Sequence, residues 1–292
     1  MKQYLLNQYY LLKYRQAYKA FKSAKPYPCY LPEEAFEGFV KKFGKRAIHS
    51  EQDYSIDGMN ALATERYNYI TQKINFIPDS VLEIGPGSGF VLQKFKEAGV
   101  KKVVALDILD NLFPETKKSG VEIVLTSAEN MMEIPDKSFE LIVSWSALEH
   151  ISNPEQVFKE CLRILKPGGY LYLKFGPLYY SAWGYHHYTT LKCPYLHILF
   201  PEYLIHQYAK KILGAGYEGY LPWTNGTGIK SYQFLRAPLP QGYLLESMNT
   251  GYEYFSPSSK MIIKYPGVFK SKNVPFESFF IDWIQVGIYR KK

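Results

Sequence analysis

Val81-Leu82-Glu83-Ile84-Gly85-Pro86-Gly87-Ser88-Gly89 is the stretch whose reading decides the fold. An apolar strand carrying Glu83 runs straight into alternate glycines, and a helical pattern follows. Glycine at such a turn accepts backbone angles that a Cβ disfavours, and it lets a ligand approach the main chain. The spacing is G-x-G-x-G. A dinucleotide fingerprint is G-x-G-x-x-G, and here Phe90 takes the place of its third glycine. Twenty residues beyond Gly87, Asp107 closes the apolar run Val103-Val104-Ala105-Leu106. A carboxylate there can accept hydrogen bonds from both hydroxyls of a ribose. The helix N-terminus after the loop favours a negative group such as a carboxylate. The ligand class implied has a ribose and a carboxylate but no pyrophosphate.

Working outward, strands and helices alternate: strand 80–84, helix 88–98, strand 102–107, strand 121–125, strand 139–145, helix 154–165 and strand 169–176. This rhythm predicts an α/β fold with a parallel sheet, covered on both faces and joined by right-handed crossovers. Ligands of such sheets bind at the carboxyl ends of the strands, where Glu83, Asp107, Ser127 and Ser146 fall. A helical stretch from about Asp57 to Ile74 precedes the Pro78-Asp79 turn. Residues 1–24 place Leu5, Leu6, Tyr9, Leu12 and Tyr18 at helical intervals among Lys and Arg, and Pro26, Pro28 and Pro32 end the pattern. Such a helix packs on its own protein, which is the expectation for this chain, or lies on a membrane surface. Beyond 176 the pattern predicts a helix over 200–214 and a closing strand over Phe279–Tyr289. Between them, 177–199 and about 222–277 read as irregular insertions rich in Pro, Gly, Tyr and Trp, of a kind that is often functional. Pro194-Tyr195-Leu196-His197-Ile198-Leu199-Phe200 reads as an amphipathic lid or wall. The expected organisation is an N-terminal helical cover (1–78), a nucleoside-binding core (79–176), and acceptor-binding insertions with closing elements of the same domain (177–292).

Five motifs in register over roughly residues 79–176 resemble the class I S-adenosylmethionine-dependent methyltransferases. They are Glu83 to Gly89, Asp107, Ser127-Ala128-Glu129, Phe139-Glu140-Leu141-Ile142-Val143-Ser144 and Leu165-Lys166-Pro167-Gly168-Gly169. The resemblance implies a Rossmann-like seven-stranded sheet and S-adenosylmethionine as cofactor, a ligand with the parts named above. It implies that Gly85, Gly87 and Gly89 lie against the methionine part. Glu83 would order the loop and reach the amino group, directly or through water. Asp107 would hold the ribose with Ile108 on the adenine, and Ser127, Ala128 and Glu129 would edge that ring. Many relatives have Asp where Ser127 stands, so a hydroxyl or backbone amide must read the exocyclic amine here. Ser144 to Ser146 would line the floor beneath the sulfonium. Leu148-Glu149-His150-Ile151 is similar to a segment of the family's small-molecule branch. The chain lacks, after this strand, the Asn/Asp-Pro-Pro-Tyr/Phe motif of amino-group methylation, which disfavours DNA and protein-amide acceptors.

Transfer of a sulfonium methyl group to a hydroxyl needs a proton acceptor, and a neutral imidazole is suited to that near pH 7. Gly184-Tyr185-His186-His187-Tyr188 offers two adjacent histidines on an aromatic loop, and His150 is the next candidate. No metal-ligand spacing is present. The expected reaction is O-methylation of a saccharide or other small polar acceptor, because Tyr, Trp and His cluster in 177–199 and Trp223 follows. Bacterial methyltransferases of surface polysaccharides and their precursors have a similar layout. Alternatives are a lipid, quinone or natural-product acceptor, an RNA acceptor, and an S-adenosylmethionine-binding protein without turnover.

The chain has 292 residues and a formal net charge of +8, but its basic residues are scattered, which disfavours nucleic acid as a partner. No run of 18 apolar residues is present, and Met1 to Tyr10 is too polar for a secretory signal. Cys29, Cys161 and Cys193 form no C-x-x-C pair, so a reducing cytoplasm is the default expectation.

Overall fold

A computed structural model describes residues 2–44, 55–186, 193–214, 229–252 and 257–292. They group into two units, one formed by 1–50, 176–230 and 250–283, the other by 51–175, 231–249 and 284–292. The expected 1–78 and 177–292 segments are each shared between these units.

The second unit is built on a seven-stranded sheet of order β3-β2-β1-β4-β5-β7-β6. Its strands are β1 (Ser80–Ile84), β2 (Lys102–Asp107), β3 (Glu122–Leu125), β4 (Phe139–Trp145), β5 (Leu165–Phe175), β6 (Tyr243–Tyr252) and β7 (Ile281–Arg290). β3, β2, β1, β4 and β5 run parallel, as the βαβ rhythm requires. β7 returns antiparallel to β5, so the sheet is mixed. β1 is buried at every position, as a central parallel strand covered on both faces must be, with Glu83 the one charged residue in it. β5 starts four residues earlier than expected. Phe139 pairs with Leu165, then an irregularity brings Leu141 opposite Tyr170, so the Lys166 to Gly169 turn lies inside the strand.

The chain between these strands supplies α3 (Ile56–Ile74), α4 (Phe90–Glu97), α5 (Pro114–Lys118) and α6 (Pro154–Ile164). α3 is capped by Ser55, whose hydroxyl accepts the Gly58 N–H, and Asn153 caps α6 in the same way through Gln156. Ile70, Phe90, Leu92, Phe95, Val103, Leu141 and Tyr172 belong to one buried cluster. Phe90, in the place of a third glycine, is buried with its ring centroid 5.2 Å from that of Phe113.

The first unit holds α1 (Lys2–Ser23), α2 (Phe36–Phe43), α7 (Leu196–Leu199), α8 (Glu202–Leu213), α9 (Pro257–Lys264) and α10 (Pro266–Ser271). α1 packs on α9 and α10. Aromatic rings dominate its core, including Phe21, Phe36, Phe39, Tyr195, Phe200, Phe269, Phe279 and Phe280.

Two expectations need correction. The stretch 222–277 is not irregular throughout, because it contains β6, α9 and α10. β6 is a sheet edge that leaves Leu244 and Leu245 exposed, so it lacks the buried apolar face that marks a strand in sequence. Pro194 to Phe200 is not an amphipathic lid or wall. All seven residues are buried, and Leu196, Ile198 and Leu199 of α7 belong to the aromatic core.

Gly87 and Gly89 both have left-handed φ angles, 54° and 79°. A Cβ at Gly87 meets nothing within 4 Å, whereas one at Gly89 comes to 2.6 Å from Leu112 and 2.7 Å from Thr116. Gly87→Ala is therefore expected to cost about 1 kcal/mol of backbone strain. Gly89→Ala should cost at least ~1 kcal/mol more from overpacking. Denaturant unfolding of the two variants side by side measures the difference, and equal losses would contradict the close packing of Gly89 on Leu112 and Thr116.

Candidate functional site

A cavity of about 380 Å³ opens in the second unit at the carboxyl ends of β1, β2, β3 and β4. Its lining includes Gly85, Gly87, Asp107, Ile108, Ser127, Ala128, Glu129, Ser146 and His150. Parallel register explains the convergence. Ile84 pairs with Leu106 on one side and Ser144 on the other, so the turns after three strands emerge at one level.

The glycine loop is held from beneath. The Gly85 N–H donates to the Leu106 carbonyl at 2.9 Å, which extends the β1–β2 ladder into the loop. The Ser88 carbonyl accepts from the Phe113 N–H at 3.1 Å and from Thr116 Oγ1 at 3.0 Å. These bonds leave the main chain of Gly85 and Gly87 as cavity wall. Gly89 does not line the cavity; it begins α4 and packs against Leu112 and Thr116.

At the tip of β2, Asp107 Oδ1 accepts the Leu109 N–H at 3.1 Å. This turn leaves Ile108 with 70% of its surface exposed at the cavity rim. A large apolar side chain so placed suits a flat apolar ring. After β3, Ser127 Oγ accepts the Glu129 N–H at 3.2 Å, and Glu129 Oε1 accepts the Asn153 N–H. The Ser127 turn is thereby tied to the start of α6. Ser146 follows β4 with φ 55°, a left-handed conformation for a residue that bears a side chain. Strain of that kind is about 1–3 kcal/mol and gathers at functional sites. His150 ends a 3-10 turn over Leu148–His150 and is exposed on the cavity.

Two expected site residues lie behind the cavity wall. Ser144 is fully buried, and its hydroxyl donates to the Ile84 carbonyl at 3.0 Å, bracing β4 against β1. Glu83 is 1% exposed, and its Oε2 has no hydrogen-bond partner among the described residues. Burial pushes its carboxyl up to about 8, with Arg66 pulling the other way. A neutral, under-partnered carboxyl beside the loop can turn anionic once a cation arrives.

Among the base candidates, His150 is on the cavity. His186 belongs to the first unit, where its Nε2 lies 3.0 Å from the Pro177 carbonyl. In the neutral imidazole that bond places the proton on Nε2 and makes Nδ1 the acceptor nitrogen. Burial lowers its pKa. His187 lies outside the described residues.

The sequence reading missed Thr126, Ala147, Ile151 and Ser152 on the cavity wall, and also Arg66. The Arg66 guanidinium is 5.1 Å from the Trp145 ring centroid, and its charge opposes the upward push on the Glu83 carboxyl. A signal was available. Ala63, Arg66, Tyr67, Ile70 and Ile74 share one helical face, and a lone basic residue in an apolar stripe calls for a partner.

The residues present fit a nucleoside that also bears a cation. Asp107 offers carboxylate acceptors, Gly87 lines the cavity with open space where a Cβ would stand, and Glu83 has an unmet acceptor. Residues 82–173 match the family described as "Methyltransferase domain". Over 121 residues the chain is 27% identical to a ubiquinone biosynthesis O-methyltransferase of Xanthomonas oryzae pv. oryzae, covering 39% of this chain and 50% of that one. The enzyme of the same name from Xylella fastidiosa is 26% identical over 121 residues, 39% of this chain and 49% of its own. The chain thus spans about half the length of the curated relatives it matches. A crystal structure of a putative methyltransferase from Bacillus halodurans is similar at a TM-score of 0.42 and 19% identity, covering 78% of this chain and all of the other. Over residues 82–173, then, the chain carries a methyltransferase domain.

Proposed function

We propose that this protein transfers a methyl group from S-adenosylmethionine to a hydroxyl of a small acceptor, and that the acceptor is a ring hydroxyl of the quinol or phenol class. The observation that carries methyl transfer is the convergence of the glycine loop, Asp107 and Ser127 to Glu129 on one cavity. The cofactor, when bound, supplies an electrophilic sulfonium methyl group for in-line displacement. In this reading the Gly85 and Gly87 main chain borders its methionine part, and Asp107 accepts from the ribose hydroxyls. Ile108 covers the adenine. Ser127 Oγ, which already accepts the Glu129 N–H, keeps a second lone pair for the exocyclic amine. Glu83 answers the cofactor's ammonium from behind the loop, and the Arg66 charge favours the anionic form of that carboxyl.

The acceptor class rests on the name of the relatives, which act in ubiquinone biosynthesis. The saccharide alternative rests on the aromatics of 177–199 and on Trp223. Trp223 lies outside the described residues; Tyr185 and Tyr195 are buried in the core of the first unit, and on that ground the quinol reading is preferred. Three free cysteines support a reducing cytoplasm as the place of reaction.

Asp107→Ala should weaken S-adenosylmethionine binding by about 2–4 kcal/mol, the worth of hydrogen bonds to a charged group. Gly87→Val should abolish it by filling the cradle. Calorimetry that finds wild-type affinity in both variants would remove the cofactor assignment.

Glu83 gives a pH signature whose sign follows from its raised pKa. Between about pH 4.5 and about pH 8 the unfolded chain has released this proton and the folded chain still holds it. Stability without ligand therefore falls with rising pH across that window and levels above it. Glu83→Gln should lack this fall in thermal melts. Cofactor binding near pH 7 should release about one proton in wild type and none in Glu83→Gln, as calorimetry in buffers of different ionisation heat would show. Equal proton release in both would separate Glu83 from the ammonium.

His150 is assigned as the base because it lines the cavity, with His186 as the alternative. His150→Ala should lower turnover ~10²–10⁴-fold with S-adenosylmethionine affinity retained. If His186→Ala gives that loss instead, the rate of wild type should rise with pH through a midpoint below the ordinary histidine value, since burial lowers the pKa of His186. Full activity in both variants would place the proton acceptor elsewhere.

A further inference from the structure

The first unit presents a face whose charge is one-signed. Residues 1–32 contain Lys2, Lys13, Arg15, Lys19, Lys22 and Lys25 and no acid, and residues 257–276 contain Lys260, Lys264, Lys270 and Lys272 and no acid. The two segments lie together, since α1 packs on α9 and α10. The Lys270 ammonium sits 4.6 Å from the centroid of the Phe21 ring, and that of Lys272 sits 3.7 Å from the Tyr30 ring. Among the described residues, none of the cations from Lys13 to Lys25 or from Lys260 to Lys272 forms an ion pair. Four acids of this unit are engaged: Glu37 pairs with Lys211, and Glu33, Glu202 and Asp282 accept from Tyr203, Tyr179 and Ser181, while Glu34 lies just past the first acid-free segment. Glu277, next to Phe276, marks the end of the acid-free stretch.

α1 turns Ala17 and Phe21 inward and sets Tyr14 against Phe276 and Phe280. Its other face carries Leu11, Leu12, Arg15, Lys19 and Lys22, which successive helical turns align on one side. Leu11 and Leu12 are 42% and 52% exposed, Tyr18 is 45% exposed, and Tyr27, just past the helix, is 80% exposed. Adjacent leucines among unpaired cations are poor surface design for a helix that meets only water. They suit an interface that is apolar below and anionic above, where lysine stems follow the leucines down while the ammonium groups stay at the headgroups.

We propose that this face docks the protein on an anionic phospholipid bilayer, with Arg15, Lys19 and Lys22 on headgroup phosphates and Leu11, Leu12 and Tyr27 at the acyl boundary. The leucines favour a bilayer over RNA, since an aliphatic side chain has no π-face on which a base can stack. Among the described residues no helix is long and apolar enough to cross a membrane, so the contact is peripheral. This inference does not depend on the proposed acceptor.

Co-sedimentation of the full chain tests it, using vesicles of phosphatidylcholine alone and of an equal mixture of phosphatidylcholine and phosphatidylglycerol. Binding is expected to the mixed vesicles only, and to fall as salt rises. Each basic side chain near such a surface contributes about fivefold. Lys19→Glu with Lys22→Glu should therefore weaken binding by at least ~25-fold. Leu11→Ser with Leu12→Ser should weaken it by at least ~10-fold while leaving some salt-sensitive attachment. All four positions are exposed, and thermal melts check that the variants fold. Failure of folded wild type to bind mixed vesicles, or equal binding to both kinds, would overturn the proposal. So would an unaltered double-Ser variant that single-stranded RNA displaces from vesicles, which would assign the face to nucleic acid.

Discussion

The rest of the site depends on one costly placement, a carboxyl buried at the end of the central strand. β1 is buried at every position, and Val81, Leu82 and Ile84 are the residues that burial alone selects. Glu83 breaks that pattern and loses its hydration, and Arg66 offsets only part of the loss. Buried polar atoms are nearly always hydrogen-bonded, so an oxygen with no partner beside a glycine loop marks a place prepared for something else. Parallel register carries the consequence outward. Glu83 stands opposite Ala105 and Val143, which brings the Asp107 and Ser146 turns to the same level as the loop. The Ser144 hydroxyl then ties the neighbouring strand to the Ile84 carbonyl.

The core of the fold was legible because its signals are local. β1, β2 and β4 begin and end where the apolar runs do, since strands buried on both faces are continuous and Gly or Asp marks their ends. β6 was not legible. An edge strand with one partner needs no apolar face, and Glu246, Ser247, Asn249 and Thr250 in it look like loop residues. α7 misleads for the opposite reason. His197 looks like the polar side of an amphipathic turn, yet it is buried with its Nε2 on the Tyr179 carbonyl, and one buried histidine disguises a core helix.

The same distinction divides the candidate site. Gly85, Gly87, Asp107, Ser127 and Ser146 could be named from sequence because each is fixed by its distance from a strand end, and the structure gathers them on one cavity. Arg66 could not be, because its environment is set by a helix that meets the sheet from elsewhere in the chain. A proton acceptor is harder still, being defined by where a substrate oxygen sits. His150 and His186 are alike in sequence terms, but one lines the cavity and the other bonds to Pro177 in the first unit.

The aromatic content shows how composition can point to the wrong link of the chain from sequence to function. With 27 Tyr and 18 Phe, the sequence invites a ligand cleft faced with rings. The first unit uses many of them on one another. Phe276 meets Tyr14, Tyr18, Phe21 and Phe280, and Phe279 meets Phe21 and Phe269, most of these pairs edge-to-face or tilted at 5–6 Å. Tyr195 buries its ring on Phe269 and donates its hydroxyl to the Phe279 carbonyl, so its polar edge is satisfied internally as well. Rings that interlock with their hydroxyls bonded stabilise a small helical unit through specific geometry, and that demand alone accounts for much of the tyrosine and phenylalanine. Their abundance therefore says little about the acceptor. The discriminating chemistry must be sought in the polar turns around the cavity and in whatever the exposed tyrosines and leucines of α1 meet.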